Sequence, residues 1–297
     1  MNGHIVILGT AFPYRGGGIS TFNERLAKAF MDEGYEVTIY NFTLQYPSFL
    51  FPGKSQYAEK DATPPDLNIL RKVNSINPFN WLRIGKELRK LKPDIIVARF
   101  WIPLMGPALG TILRRAKKNR HTSAIAITDN VIPHEKRPGD IPFTKYFLRS
   151  CDAFVTMSEK VMQDLKKFEP AKPAVNVEHP LYDNFGPAIT KIEARHNLGL
   201  NPDDNIILFF GFIRKYKGLD LLLNAMQINK DRPYKLLIAG EFYDDENIYL
   251  RQIEELNIRE KIILRTQFIP DHLVKEYFCA ADVVIQPYRQ ATQSGVT

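Results

Sequence analysis

Strand-like apolar runs with almost no polar interruption recur along this chain, and they constrain its fold more than any other feature. "HIVILG", "DIIVA", "SAIAIT" and "DAFVTM" come first, with "YEVTIY" and "AVNVE" among them; "NIILFF", "YKLLIAG", "KIILRT" and "DVVIQP" follow later. Most are too short for buried helices and lack the polar alternation of a strand with one wet face. A strand that is apolar on both faces must be covered on both faces. Segments of helical period stand between successive runs, which is the pattern of parallel sheets wound with helices on either side.

The pattern loosens once, through "LYDNFGPAITK", and then resumes. Two series imply two Rossmann-like α/β domains facing each other across a cleft, and 297 residues suffice for two cores. The expected division is 1–182, a linker region with a short helix over 183–203, and 204–297. The sequence stops at "SGVT", directly after a strand, where a domain built like the first would continue; the second domain is expected to be incomplete.

Local signals place several helix ends. Ile19 to Glu33 reads as a helix stopped by a left-handed Gly34, and Asn77-Pro78 as the cap and first turn of a helix running to Lys92. Ser158 in "VTMSEK" caps another. Residues 41–76, rich in aromatics and prolines, read as an irregular lid or acceptor-side insertion, with Phe49, Leu50 and Phe51 suited to a lipid-linked acceptor or to ordinary packing.

No apolar run approaches the roughly 18 residues of a membrane span, and the N-terminus lacks a charged leader, so a cytoplasmic protein is expected. The net charge of +7 is spread over many helices. Its densest cluster, "RRAKKNR" (Arg114 to Arg120), ends a predicted helix, where cations suit the dipole; the alternative is an anionic partner such as a lipid head group or phosphorylated carrier. With no aromatic-basic platform, nucleic acid is not an expected partner. Cys151 and Cys279 read as small core residues. The absence of an Asp-x-Asp pair and the scatter of the six histidines argue against a metal site.

Ligands of open parallel sheets bind at the carboxyl ends of the strands, and the candidate residues fall there. "GTAFPYRGGGIS" follows the first strand. Gly16, Gly17 and Gly18 either free backbone N–H groups for an anion at a helix start or form a flexible turn. The spacing is neither G-x-G-x-x-G nor a P-loop, and "TIYNFT" lacks the acid that grips a ribose, which argues against an NAD enzyme. In the second series Arg214, Lys215 and Lys217 stand between "NIILFFG" and a helix, a site for a diphosphate unless solvation or pairing with Asp220 or Glu241 occupies them. Without a metal, such cations would offset the charge of a diphosphate leaving group. "DNVIPHEKRPGD" adds Asp129 and His134, a carboxylate and an imidazole able to orient or deprotonate a hydroxyl, or ordinary loop residues.

These residues together resemble the metal-independent, retaining glycosyltransferases of the GT-B fold, in glycosyltransferase group 1 or family 4. The likeness rests on the P-x-x-GGG loop (Pro13, Gly16, Gly17, Gly18), "VTMSEK", "GFIRKYKGLDLLLNA", "LLIAGE" and "FIPDHLVKEYFCAADVVIQPYRQATQSGV". It implies a nucleotide-sugar donor in the second domain and a glycan or lipid-linked acceptor in the first, with no cofactor beyond the nucleotide sugar as substrate. It also implies cell-surface glycan assembly, with peripheral contact to the membrane's cytoplasmic face.

By resemblance Lys217 binds the donor diphosphate, and Phe212 replaces a usual arginine whose role passes to Arg214. Phe268 and Ile269 lie near the base; Gly16 and Gly17 close over the phosphates, joined by the backbone amides of Gly295 and Val296. The family's histidine near the donor sugar is missing from "ITDN", leaving Asp129 or His134 to act, and Thr292 stands where the first acid of an E-x7-E motif is usual. The alternatives are a non-catalytic nucleotide-sugar or anion-binding protein of this fold and a sugar epimerase of the same architecture.

Overall fold

A computed structural model describes residues 2–16, 18–47, 51, 55–58, 64–132, 138–182 and 184–289. The chain divides into two compact units, Met1–Phe51 with Ser55–Pro180, and a second that includes Leu181–Thr297.

Among the described residues the first unit is built on a seven-stranded parallel sheet. Its elements are β1 (His4–Leu8), α1 (Ile19–Asp32), β2 (Glu36–Leu44), β3 (Ile69–Asn74), α2 (Pro78–Leu91) and β4 (Ile95–Phe100). They continue with α3 (Gly106–Ala116), β5 (Ser123–Thr128), α4 (Asp140–Leu148), β6 (Ala153–Thr156), α5 (Glu159–Lys166) and β7 (Ala174–Asn176). The order β3-β2-β1-β4-β5-β6-β7 reverses direction between β1 and β4, so the crevice for a ligand opens at their carboxyl ends.

The expected signals operate locally. The Asn77 side chain accepts the Asn80 N–H at 3.2 Å and Lys92 ends α2 in the left-handed region. Ser158 accepts the Val161 N–H at 3.3 Å, and Gly34 has φ 85°. The stretch 41–76 is less irregular than its sequence suggests: β2 runs on to Leu44 and β3 pairs with it at the sheet edge. β3 escapes a hydrophobicity reading because an edge strand needs few buried side chains; Val73 is its fully buried residue, while Lys72 pairs with Glu87 of α2. Phe49 and Leu50 lie outside the described residues.

The second unit comprises α6 (Lys191–Asn197), β8 (Asn205–Phe210), α7 (Leu219–Ile228), β9 (Tyr234–Ala239), α8 (Glu246–Glu255), β10 (Ile262–Arg265), α9 (Asp271–Ala280) and β11 (Val283–Val284). Its parallel sheet is ordered β10-β9-β8-β11 among the described residues. The uninterrupted apolar strands have a direct explanation. Phe209, Leu236 and Ile238 enter one core with α7 and α8, whereas Ile206, Leu208, Leu237 and Ala239 enter the other with α6 and α9. Helix α6, within the stretch read as linker, is a packed element. Arg195 on it is buried, donates to Ala280 O at 3.0 Å and pairs with Asp282 at 2.8 Å. No helix among the described residues is long and apolar enough to cross a membrane.

Candidate functional site

In the second unit the sheet reverses between β8 and β11, and the expected cations stand at this point. β8 leads into Gly211, at φ 103°, then Phe212 and Ile213; Arg214 opens a 3-10 turn over Lys215–Lys217, and Gly218, at φ 73°, begins α7. Only glycine fits at 218. A Cβ there would lie 2.1 Å from the Pro287 carbonyl oxygen, because the segment after β11 folds against the turn. Arg289 N–H donates to Tyr216 O at 2.8 Å, fastening that approach. Among the described residues no side chain caps the start of α7, so the turn delivers two cations beside its N-terminus.

Lys217 is the unusual member. It is 9% exposed, and its Nζ lies where a Cβ on Gly211 would come within 2.8 Å. The nearest ring is Tyr288, 5.7 Å from the ammonium to the centroid. Its side chain has no carboxylate or hydrogen-bond acceptor among the described residues. Burial, with a smaller contribution from Arg214, pushes the ammonium down to about 8. Arg214 likewise has no carboxylate partner among the described residues; its guanidinium sits 5.2 Å over the Tyr243 ring. Of the two acids considered as partners, Asp220 pairs with Arg289, and Glu241 is buried and forms no ion pair with Arg214 or Lys217 among the described residues; Asp244, nearby, accepts the Lys215 N–H.

Phe212 stacks on Tyr243 at 4.3 Å and more loosely on Phe268 at 6.4 Å, so Phe268 joins an aromatic cluster beside the cations. Ile269 is partly buried against the core shared by α6 and α9.

In the first unit the loop after β1 is held from below. Asn41, on β2, accepts the Ala11 N–H at 3.2 Å and donates to Ala11 O at 2.7 Å and Phe12 O at 2.8 Å. Glu24 of α1 accepts Phe12 N–H at 2.7 Å and Ser20 Oγ at 3.2 Å. Phe12-Pro13 is cis, and Tyr14 beyond it stacks on Tyr57 at 5.2 Å. Gly16 follows, partly exposed, and Gly18, at φ 85°, starts α1 without a side-chain cap.

Asp129 stands at the carboxyl end of β5, as expected, but its surroundings differ from those of an isolated loop acid. Arg99, one strand away on β4, grips both carboxylate oxygens, Nε to Oδ2 at 2.6 Å and Nη2 to Oδ1 at 2.5 Å. The two residues are 2% and 4% exposed. The guanidinium also lies 3.9 Å over the Phe22 ring, and its Nη1 is buried without a partner among the described residues. Sequence reading missed Arg99 because one cation inside "DIIVARF" looks like a strand's end. His134, Gly17, Gly295, Val296 and Thr292 lie outside the described residues. Among the described residues no group of three or more His, Cys, Asp or Glu is placed to hold a metal ion.

Comparison with known proteins extends the picture. Residues 16–177 match the family model for Glycosyltransferase Family 4, and residues 190–292 that for Glycosyl transferases group 1. TuaC of Bacillus subtilis, a glycosyltransferase assigned to teichuronic acid biosynthesis, is 23% identical over 256 residues, 79% of this chain and 61% of TuaC. The chain thus spans less than two thirds of that relative's length. Among solved structures, sucrose-phosphate synthase from Thermosynechococcus elongatus superposes with TM-score 0.70 at 15% identity, over 99% of this chain and 77% of that one. HepE of Anabaena in complex with UDP-glucose gives 0.69 at 14% identity, over 98% and 75%. At such identities the likeness establishes the α/β fold with parallel sheets.

Proposed function

Because the chain belongs to Glycosyltransferase Family 4, with the group 1 pattern following in its second unit, we propose that the whole protein transfers a hexose from a nucleotide-sugar donor to a hydroxyl of a glycan or lipid-linked acceptor. The reaction is metal-independent and retains anomeric configuration, and it serves cell-surface polysaccharide assembly. The donor belongs to the second unit and the acceptor to the first. TuaC's place in teichuronic acid biosynthesis and the UDP-glucose bound by HepE support this reading.

One observation carries it: the buried Lys217 ammonium has no counter-anion among the described residues. Taking an unpaired charge out of water costs several kcal/mol, and that cost is offset when an anion arrives. A diphosphate beside Lys217, Arg214 and the N–H groups of α7 supplies it. As the sugar–phosphate bond breaks, negative charge grows on the diphosphate, and these groups stabilise it more than they stabilise the ground state. Phe268, with Ile269, contributes to the base pocket. By the family resemblance, Gly16 and Gly17, and the amides of Gly295 and Val296, are assigned to the donor phosphates as part of this proposal. Asp129, already held by Arg99, orients the acceptor hydroxyl together with His134.

A second reading rests on Phe212. An aromatic cluster occupies the position of the family's usual arginine, which suits a protein that binds a nucleotide sugar without transferring it. The deciding experiment takes the full-length protein and Lys217→Ala through UDP-, GDP- and ADP-sugars by thermal shift, with EDTA throughout. A shift confined to one nucleotide class and lost in the variant supports the donor site. Product analysis by NMR then tests transfer and anomeric configuration; binding without transfer favours the second reading, and no shift in folded protein sinks both.

A further inference from the structure

The first unit carries a basic concavity at the opposite end of its sheet from the strand carboxyl ends. Arg89, Arg114, Lys117, Lys118, Arg120 and Arg149, with Ser150, line a space of about 510 Å³. They come from the last turn of α2, the end of α3 and the 3-10 turn after it, and the end of α4. Each contributing segment leads into a strand, β4, β5 or β6, so the concavity sits at their amino ends. The six residues of β5 separate it from Asp129 by about 20 Å at the usual rise of a strand.

Helix dipoles account for some of these cations but not for all. Each helix C-terminus is equivalent to roughly half a negative charge, and three such ends meet six cations here. Two of the six are committed within the fold. Arg114 donates to Gly110 O at 3.0 Å and to Tyr146 O, and stacks 3.8 Å over the Tyr146 ring; Lys117 donates to Ser150 O at 3.1 Å and pairs with Asp152. The side chains of Arg89, Lys118, Arg120 and Arg149 have no hydrogen-bond or ion-pair partner among the described residues. All four are exposed and therefore screened by water, but gathered around one concavity they make a local excess of positive charge that an entering anion would offset. Guanidinium forks on several sides match the oxygens of a phosphoryl group, and the charge excess favours a ligand with more than one negative charge.

We propose that this concavity is a second anion site, separate from the donor cations, that takes a phosphoryl or diphosphoryl group. The group arrives either on a lipid headgroup or as a free phosphate compound. The remoteness of the site from the strand carboxyl ends makes it an anchoring or regulatory site with no part in the chemistry.

The test uses the full 297-residue chain in a Lys217→Met background, so that the second unit's buried lysine does not contribute. The pocket variant adds Arg89→Ala, Lys118→Ala, Arg120→Ala and Arg149→Ala. A charge-matched control adds Lys166→Ala, Lys230→Ala, Arg232→Ala and Arg251→Ala, all exposed positions. Inorganic pyrophosphate is titrated by calorimetry, and vesicles of phosphatidylcholine with or without phosphatidylglycerol are co-sedimented. The control should keep binding and the pocket variant should weaken it at least tenfold. Loss confined to pyrophosphate identifies a free phosphate compound, loss confined to phosphatidylglycerol vesicles a lipid headgroup, and loss of both a site open to either. Equal binding by the two variants, or no binding of either probe by the parent, overturns the proposal.

Discussion

Arg99 and Lys217 are both buried cations at the carboxyl end of a parallel strand, one in each unit, yet they are treated in opposite ways. Arg99 is matched at once: both oxygens of Asp129 accept from it, and the face of Phe22 covers it. Lys217 is matched by nothing among the described residues but the ring of Tyr288, and Arg214 beside it adds repulsion. A buried ion pair with good geometry fixes two strands relative to one another. A buried cation left without a partner leaves free energy to be recovered on binding an anion. The difference separates a charge that holds the fold from one that waits for a ligand.

The sharpest way to break the comparison is Arg99→Met. It removes the guanidinium from the buried Asp129 carboxylate, and losses of about 3–5 kcal/mol are usual when one member of a buried ion pair is taken away. A large fall in Tm is expected. An unchanged Tm would mean that the pair contributes nothing to the fold.

Lys217→Met should act in the opposite direction. At pH 7 the folded protein carries an ammonium that burial disfavours, so removing it with a side chain of similar length stabilises the protein. The unfolded lysine keeps its proton up to about 10.5, whereas the folded one releases it near 8. The unfolded state therefore binds more protons over that window, and wild type gains on the variant as pH rises from 8 to 10.5. The gain is about 3 kcal/mol as an upper figure. Denaturant midpoints of the two proteins at pH 7 and pH 10.5 measure it; parallel pH profiles would show that burial does not depress the Lys217 ammonium. The stabilised variant should also lose the thermal shift given by the donor nucleotide.

Two smaller effects sharpen the contrast between scaffold and site. Asn41→Ala removes an acceptor and two donated bonds beneath the loop after β1, at an expected cost of about 1–3 kcal/mol. Hydrogen exchange should rise at the Ala11 N–H, which loses its acceptor. Ser158→Ala removes a helix cap and should cost about 1 kcal/mol with no effect on any ligand. Loss of activity well beyond that stability cost would show Ser158 to be more than a cap.

Much of this was legible in the chain because it depends on neighbours in sequence. The double-faced strands announce themselves: alternate residues of β8 and β9 feed two cores, so neither parity can be polar. Caps at Asn77 and Ser158 and the left-handed Gly34 follow from backbone groups a few residues apart. The cluster of Arg214 and Lys217 was visible for the same reason, since a strand end, a tight turn and a helix start are adjacent. β3 was not visible, because an edge strand with Arg71 and Lys72 in it has almost no hydrophobic signature. Nor was the aromatic stack around Phe212, whose members Tyr243 and Phe268 follow different strands.

What the sequence determined by itself was therefore the class of fold and the positions where strands hand over to helices, because periodicity and capping are settled within a few residues. Which charges are paired was decided only by the tertiary structure. Arg99 meets Asp129 because β4 and β5 lie side by side, and Arg195 meets Asp282 because α6 packs beside α9. The order of β4, β5 and β6 gathers Arg89, Arg120 and Arg149 around one concavity, and in the second unit the fold leaves Lys217 with no partner among the described residues. Charge interactions act through space over a few ångströms, and sequence separation does not report that distance.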